Sequence, residues 1–298
     1  MLLFKEKINQ YTSLIEDGLN KYYPEIAGEQ QTISKACRYS LLGNGKRIRP
    51  VLCLAVGELL CVPFADLLPY ACSIEMIHTF SLIHDDLPSM DNDDYRRGRL
   101  TCHKVFGEGV AVLAGDSLLN KAYETMLFDC INHPKDGKLQ AALIISCSTG
   151  DLGMIGGQII DIESEHKTIG YDLLKKMHSM KTGALIKAPI IAACHIGKAN
   201  INEHEIFEEY ANAIGLAFQI KDDILDVISN SDIMGKTVGK DSLVEKSTYV
   251  SIFRIDKAQE LLISTTQNAF ENLQKLQSVG YDTSFLASFT EYLLKRDK

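Results

Sequence analysis

Three aspartates lie close together at the end of an apolar segment, in the sequence DDLPSMD. In a regular α-helix, Asp85 and Asp91 would point about 120° apart, because one turn takes 3.6 residues. Pro88 lies between them, and proline disfavours helical geometry at the preceding residue and cannot donate a backbone hydrogen bond. The sequence therefore predicts that the chain turns here and brings Asp91 back beside Asp85, with Asp86 next to them.

A second acidic cluster, in FQIKDDILD, follows the spacing of an α-helix. Gln219, Asp222, Asp223 and Asp226 occupy positions i, i+3, i+4 and i+7, which lie on one helical face. Apolar residues occupy the other faces. This pattern predicts a row of carboxylates along one side of an otherwise apolar helix.

Either acidic cluster alone is most simply explained as a helix cap or a solvated surface. Two such clusters in apolar helices indicate a cation, because adjacent carboxylates raise one another's pKa and repel unless a positive charge compensates them. Mg²⁺ takes oxygen ligands, commonly one or two carboxylates completed by substrate phosphates. The two clusters therefore predict magnesium sites with positions open to a diphosphate.

Basic residues near both clusters supply partners for phosphate, since arginine binds it with two parallel hydrogen bonds and lysine as a point charge. Three of them, Lys46, Arg47 and Arg49, lie in the glycine-containing segment GNGKRIRP. Three more, Arg96, Arg97 and Arg99, follow the first acidic cluster. The second half of the chain adds Lys181 beside Thr182, then Lys236, Lys240 and Lys246. Taken singly, each lysine is typical of a protein surface.

The composition narrows the functional class. The chain has 298 residues, with 31 basic and 39 acidic side chains, and its net charge of −8 disfavours general binding to nucleic acid or to an anionic membrane. The apolar start is too short for a signal peptide or a membrane span. The eight cysteines form no CxxC pairs, which is typical of reduced thiols. We therefore expect a cytoplasmic protein without a membrane span.

Hydrophobic periodicity predicts an all-α protein. The expected helices cover 4–20, 30–42, 50–61, 66–86, 109–130, 137–153, 171–195, 203–227 and 246–295, the last broken at Gly280. Expected loops include 88–101, 163–170 and 229–243. Because no flexible linker divides the chain, we expect one domain spanning residues 1–298.

These motifs together resemble the trans-prenyl diphosphate synthases, and most closely the bacterial farnesyl diphosphate synthases. DDLPSMD resembles the first aspartate-rich motif of that family and DDILD the second. The segments GKRIRP, GGQIIDI, KTGALI, GKTVGKD and EKSTY match in order, so the resemblance covers about residues 36–250. It implies a single bundle of mostly antiparallel helices around a central cavity, three Mg²⁺ ions, isoprenoid diphosphate substrates and a homodimer.

The resemblance also implies a role for each matching residue. It implies that Asp85 and Asp91 bind two Mg²⁺ ions and Asp222 the third, with Asp86, Asp223 and Asp226 in support. Isopentenyl diphosphate would be bound by Gly45, Lys46, Arg49, His78 and Arg97. The allylic diphosphate would be bound by Arg96, Lys181, Lys236 and Lys246, with Thr182 and Gln219 near the developing cation.

Phe80 bears on the length of the product. It precedes Asp85 by five residues, which is about 7.5 Å along a helix axis, so its ring would form the floor of the cavity below the diphosphate site. In the family, an aromatic residue there, or two extra residues within the first aspartate motif, accompanies a fifteen-carbon product. Both features are present, and we expect farnesyl diphosphate. The alternative is that Phe80 is only a core residue.

Other functions remain open at this stage. Geranyl or geranylgeranyl diphosphate would emerge from the same catalytic residues. A terpene cyclase shares the first aspartate motif, although its second metal motif usually has an Asn/Ser/Glu pattern in place of the second DDxxD found here. A non-catalytic subunit of a two-component synthase is disfavoured because both acidic motifs are intact.

Overall fold

A computed structural model describes residues 2–234 and 247–295. Its helices are α1 Leu2–Tyr22, α2 Gln31–Leu41, α3 Ile48–Leu59, α4 Phe64–Asp85, α5 Cys102–Phe106, α6 Glu108–Asn132, α7 Lys138–Thr149, α8 Met154–Ser164, α9 Tyr171–His178, α10 Ala184–Ile196, α11 Ile201–Met234, α12 Tyr249–Ser278 and α13 Ser284–Lys295. A π-helical turn, Ser179–Gly183, separates α9 from α10. Two short strands, β1 Tyr95–Arg96 and β2 Arg99–Leu100, pair antiparallel. The all-α prediction is confirmed.

The chain forms two compact units. The first contains residues up to Ser146 together with Ala192–Lys198, and the second contains Cys147–Ile191 and residues from Ala199 onward. The expectation of a single domain stays a prediction.

The first unit is built around α3 and α4. Both helices are apolar on nearly every face, and the side chains from Val51 to Val56 are buried. A helix of this kind is stable only when other helices surround it. The first aspartate motif lies at the C-terminal end of α4, so this packed core fixes the position of its backbone.

The second unit is built around the long helices α11 and α12. Its core cluster contains Ile220 and Ile224 of α11, Tyr249 and Ala258 of α12, and two residues of α9, Leu174 and Met177. The apolar residues of α11 therefore lie in the core between the acidic positions of the second motif, as its helical spacing predicts.

Several predicted element boundaries were wrong. The expected helix 137–153 ends at Thr149, and the separate helix α8 follows it. The expected helix 171–195 contains the π-helical turn, and α11 continues to Met234 through residues expected to be a loop. The expected loop 88–101 contains the β1–β2 hairpin. The break at Gly280, whose φ is 106°, is confirmed.

One stretch of the described chain, Lys138–Ser164, has the length and mean hydropathy of a membrane span. It consists of two helices, since α7 ends at Thr149 and α8 begins at Met154. Length and composition alone are weak evidence for a span, because core helices of soluble proteins meet the same criteria.

Candidate active site

The first aspartate motif turns back on itself where α4 ends. The backbone N–H of Asp91 donates to the carbonyl of Asp85 at 2.9 Å, and the N–H of Asn92 donates to the carbonyl of Leu87 at 3.1 Å. These bonds satisfy carbonyls that the end of the helix leaves without helical partners. The prediction that the chain returns Asp91 to Asp85 after Pro88 is confirmed.

Asp86 points away from solvent and holds an arginine. Its carboxylate is 3% exposed and accepts a hydrogen bond from Arg96 Nε at 2.8 Å, and Arg96 Nη2 contacts the same oxygen. Arg96 also pairs with Asp93 at 3.2 Å. Burial raises the pKa of Asp86, while the Arg96 guanidinium opposes that rise. Asp86 therefore positions Arg96, a predicted ligand of the allylic diphosphate, beside the first aspartate motif.

Arg47 is a structural cross-link. Its guanidinium is buried and pairs with Glu16 and Glu75, each at 2.7 Å. It also donates to the backbone carbonyls of Leu41 and Gly43, at 2.8 and 3.0 Å. With these four hydrogen bonds made, Arg47 is not available as the phosphate partner that its place in GNGKRIRP suggested.

His78 lies in a strongly positive environment. Burial, followed by the charges of Arg49, Arg97, Arg47 and Arg96, lowers its pKa well below the ordinary value. The imidazole is therefore neutral near pH 7, and in that state it can donate a hydrogen bond without adding charge. Because the charges of Arg49 and Arg97 act on His78, the three residues lie in the same region of the first unit. Their role in binding isopentenyl diphosphate stays a prediction.

Gly45 and Arg97 are packed against each other. A Cβ atom at residue 45 would lie 2.7 Å from Arg97 Nη1, so any side chain there would displace the guanidinium. Loss of solvation, together with the charges of Arg47 and Arg96, lowers the pKa of Arg97, and Glu75 opposes this. Lys46 is exposed next to this group. The glycine is thus required for the position of a predicted phosphate ligand.

A pocket that is partly open to solvent lies beside this basic group within the first unit. Its polar lining comes from α2, the following connection, the end of α4 and the hairpin, and comprises Tyr39, Ser40, Asn44, Thr79, Asp86, Arg96, Arg97, Arg99 and Thr101. Arginines outnumber carboxylates in this lining. The pocket is therefore suited to an anion.

In the second unit, the second aspartate motif lies on α11 with the predicted helical spacing. Asp223 is 5% exposed, and its carboxylate accepts hydrogen bonds from the N–H of Tyr249 at 2.8 Å and from Gln219 Nε2 at 3.2 Å. The bond to Tyr249 fixes the start of α12 against α11. The bond to Gln219 turns the amide nitrogen toward Asp223. Asp222 is only half-buried.

Lys181 and Thr182 lie in the π-helical turn, which the sequence did not reveal. Lys181 Nζ pairs with Asp161 of the GGQIIDI segment at 2.7 Å. A Cβ atom at Gly157 would lie 2.1 Å from the backbone nitrogen of Lys181, so only glycine lets α8 approach the turn this closely. Such turns often occur at functional sites, because they interrupt regular helical bonding.

Burial also lowers the pKa of His178, just before this turn, to about 4, and Lys181 contributes in the same direction. The His178 ring lies 5.3 Å from the ring of Tyr249, the first residue of α12. The π-helical turn and the second aspartate motif therefore meet the start of the same helix.

Phe80 is 7% exposed and packs edge-on against His84, with ring centroids 5.5 Å apart. Its place on α4, five residues before Asp85, is as expected. Its role as a floor stays a prediction. Lys236 and Lys246 lie outside the described residues, as does the side chain of Asp226.

The acidic residues fit magnesium in the type of ligand they offer. Asp85 and Asp91 provide carboxylate oxygens at the same turn, and oxygen is the ligand that Mg²⁺ prefers. Among the side chains that the structure describes, which leave out that of Asp226, no three acidic, histidine or cysteine residues form a group that could hold a metal ion. Mg²⁺ commonly keeps several waters and takes further ligands from substrate phosphates.

Comparison with known proteins supports the resemblance. The Polyprenyl synthetase family model matches residues 30–281. The chain is 42% identical to a farnesyl diphosphate synthase of Micrococcus luteus, over 100% of both chains. It is 45% identical to a geranylgeranyl diphosphate synthase of Cyanophora paradoxa, over 84% of each chain.

A solved structure agrees with these sequence relatives. The crystal structure of a FPP/GFPP synthase from Zymomonas mobilis superimposes with a TM-score of 0.86 at 30% identity, covering 98% of this chain and 99% of that one. Sequence motifs, helical architecture and relatives therefore agree, and the chain belongs to the polyprenyl synthetase family of prenyltransferases.

Proposed function

We propose that this prenyltransferase is a farnesyl diphosphate synthase. It condenses isopentenyl diphosphate head to tail with dimethylallyl diphosphate and then with geranyl diphosphate. The observation that carries the chemistry is the turn at the end of α4, which holds Asp85 beside Asp91 and places Arg96 next to them. The product length is supported by Phe80 and by the full-length similarity to a farnesyl diphosphate synthase.

The two aspartate motifs would serve the allylic diphosphate, since Asp85 and Asp91 would hold two Mg²⁺ ions and Asp222 would hold a third. The chemistry that Mg²⁺ would supply there is neutralisation of the departing diphosphate, which would lower the barrier to breaking the allylic C–O bond. Arg96 and Lys181 bind the same diphosphate and stabilise its developing charge. The chain needs no nucleophilic side chain, because the isopentenyl double bond attacks the allylic cation.

The allylic cation needs dipoles with their negative ends toward it. Thr182 Oγ, the carbonyl of Lys181 and the amide oxygen of Gln219 supply them. The hydrogen bond from Gln219 Nε2 to Asp223 supports this role, since it commits the nitrogen end of the amide to the carboxylate. The released diphosphate then removes a proton from the condensed cation, and loss of this proton forms the new double bond.

Isopentenyl diphosphate binds to Lys46, Arg49, His78 and Arg97, beside Gly45. The neutral state of His78 supports this arrangement, because a neutral imidazole donates to a phosphate oxygen without adding to the repulsion among the nearby arginines. Arg47 contributes indirectly by fixing the segment that carries Lys46 and Arg49.

The test is to size the products of the purified protein. Labelled isopentenyl diphosphate is incubated with dimethylallyl diphosphate and Mg²⁺, and the dephosphorylated products are separated by chain length. We expect a fifteen-carbon alcohol. A twenty-carbon product would favour a geranylgeranyl diphosphate synthase, a function that the Cyanophora paradoxa relative supports. Hydrocarbon released from an allylic diphosphate without isopentenyl diphosphate would indicate a cyclase.

We also propose that the enzyme is a homodimer. Large apolar side chains are exposed along α6 and α7 of the first unit, namely Leu113, Leu127, Phe128, Ile131, Leu139 and Leu143. Where such side chains form one contiguous patch, the patch is typical of an interface. A second copy of the chain would cover it.

A further inference from the structure

The β1–β2 hairpin carries more positive charge than the neighbouring carboxylates neutralise. Arg96 and Arg99 are direct cross-strand partners, and like charges in that position destabilise a hairpin. Arg96 is compensated by Asp86 and Asp93. In the part of the chain that the structure describes, Arg99 has no carboxylate within ion-pair distance.

Tyr39 holds Arg99 in place without neutralising it. The Arg99 guanidinium carbon lies 4.0 Å from the centre of the Tyr39 ring, in a cation–π contact, and Nη1 lies 3.4 Å from the Tyr39 carbonyl oxygen. The tyrosine therefore orients the guanidinium, and the charge remains available to an anion.

The hairpin turn adds a third cation. Arg97 and Gly98 occupy the turn with φ of 53° and 76°, the left-handed backbone that tight hairpins require. This conformation costs an arginine more than a glycine. Three arginines thus lie within the six residues of the ribbon, and an anion bound between them would offset their repulsion.

A pocket that is partly open to solvent lies beside the hairpin, so that an anion could approach these arginines. Arg97, Arg99, Tyr39 and Asn44 line it, as do Asp86 and Arg96 at its edge toward the first aspartate motif, whereas Lys46, Arg49 and His78, which the structure also describes, do not. It therefore adjoins the predicted isopentenyl diphosphate residues through Arg97 without coinciding with them.

We propose that this pocket is an auxiliary subsite that binds a diphosphate group through Arg97 and Arg99. Guanidinium groups bind phosphate oxygens with paired, charge-assisted hydrogen bonds, and the Asn44 amide adds a donor. The choice of a diphosphate rests on the proposed function. The incoming isopentenyl diphosphate and the released inorganic diphosphate share this group.

The test is calorimetric titration of the full chain with inorganic diphosphate and, separately, with isopentenyl diphosphate. A chelator is present, so that magnesium-dependent binding at the aspartate motifs does not contribute. We expect Arg99→Met to weaken binding by about tenfold, since a hydrogen bond to a charged group contributes that much. Tyr39→Leu should weaken it less, because it keeps the charge and removes only the support of the ring.

Lys104→Met is the matched control. Lys104 is also a cation following the hairpin, but it pairs with Asp94 at 2.7 Å and does not line the pocket. If the Arg99→Met protein binds both inorganic diphosphate and isopentenyl diphosphate more weakly, the pocket recognises the diphosphate group alone. Weaker binding of one ligand only would identify that ligand as the natural source.

The proposal would be overturned if a folded Arg99→Met protein bound both ligands as tightly as wild type does. It would also be overturned if Lys104→Met lost as much affinity as Arg99→Met. If Arg99→Met does not fold, Tyr39→Leu decides in the same way. Failure of the proposed function would appear separately, as a wild-type protein that yields no condensation product whatever the outcome of the titrations.

Discussion

Arg47 lies buried between Glu16 and Glu75, where its charge prevents the two carboxylates from facing each other unpaired. Removing one partner of a buried ion pair is costly, because the remaining charge loses both water and its counterion. We expect Arg47→Met to lower the free energy of unfolding by about 3–5 kcal/mol. Urea denaturation followed by circular dichroism measures the change.

Lys7→Met is the control for Arg47. Lys7 pairs with Glu58 at 2.6 Å, but both side chains remain about a third or more exposed. Solvent screens such pairs, so the expected loss is about 0–1 kcal/mol. Equal losses in the two variants would show that Arg47 is not the cross-link described.

We expect the side chain of Phe80 to determine the chain length of the product. Replacing its ring with a methyl group removes the floor, so we expect Phe80→Ala to yield products longer than fifteen carbons, while Phe80→Tyr keeps the wild-type length. Chromatography of the dephosphorylated products measures this. A fifteen-carbon product from an active Phe80→Ala enzyme would mean that Phe80 is only a core residue.

Single-residue roles were partly predictable from the sequence. The turn at Pro88 followed from backbone sterics, which act locally. The structural role of Arg47, in contrast to the predicted phosphate-binding role of Arg49, could not be predicted. It depends on Glu16 and Glu75, which lie far from Arg47 in the sequence and next to it in the fold. A glutamate among the buried apolar residues of α4 was the available signal, since a buried carboxylate requires a partner.

At the scale of elements, α12 contains a strained residue. Arg254 has φ of 65° and ψ of 162°, a conformation that is essentially restricted to glycine, and its side chain is exposed. We therefore expect Arg254→Gly to raise the free energy of unfolding by about 1–3 kcal/mol, because the strain disappears and little packing is lost. Thermal denaturation would detect the higher melting temperature.

Lys198→Gly provides the comparison for this strain. Lys198 has φ of 54°, in the ordinary left-handed region, where the cost of a side chain is about 1–2 kcal/mol. The gain should therefore be smaller than for Arg254→Gly. No gain at residue 254, or a loss, would contradict the strain assigned to it.

The long, strongly periodic elements were predictable and the irregular ones were not. The acidic face of α11 could be predicted from the spacing of its aspartates, because the 3.6-residue repeat of an α-helix determines which residues lie on the same face. The π-helical turn depends on the close approach of Gly157 to Lys181, a contact between separate segments. The hairpin lies among turn-forming residues, and its strands have only two residues each, too few to produce a detectable alternation.

At the scale of the whole molecule, the exposed apolar surface of α6 and α7 underlies the proposed dimer. We expect Ile131→Glu to convert the dimer to monomers, because a charge would be buried in the interface. Sedimentation velocity measures the change in mass. Ile201→Glu is matched in exposure, 78% against 76% for Ile131, but lies on α11 and should not change the mass. A monomeric wild type would contradict the proposal.

Family and fold class were predictable because they depend on several motifs in a fixed order, and a chance match of all of them is improbable. Product length was not fixed in the same way, since relatives of similar identity include synthases of farnesyl and of geranylgeranyl diphosphate. In the proposed mechanism the shared motifs bind the diphosphates, whereas the length of the product depends on a few packing residues such as Phe80.

The most direct test of the account is the rate of isopentenyl diphosphate condensation as Mg²⁺ is removed and restored, in wild type, Asp85→Ala, Asp222→Ala and the surface control Asp136→Ala. We predict no turnover in chelator, recovery with Mg²⁺, and a loss of about 10²–10³-fold in each of the first two variants, with the control unchanged. Turnover near the wild-type rate in Asp85→Ala or Asp222→Ala, or in wild type without Mg²⁺, would contradict it.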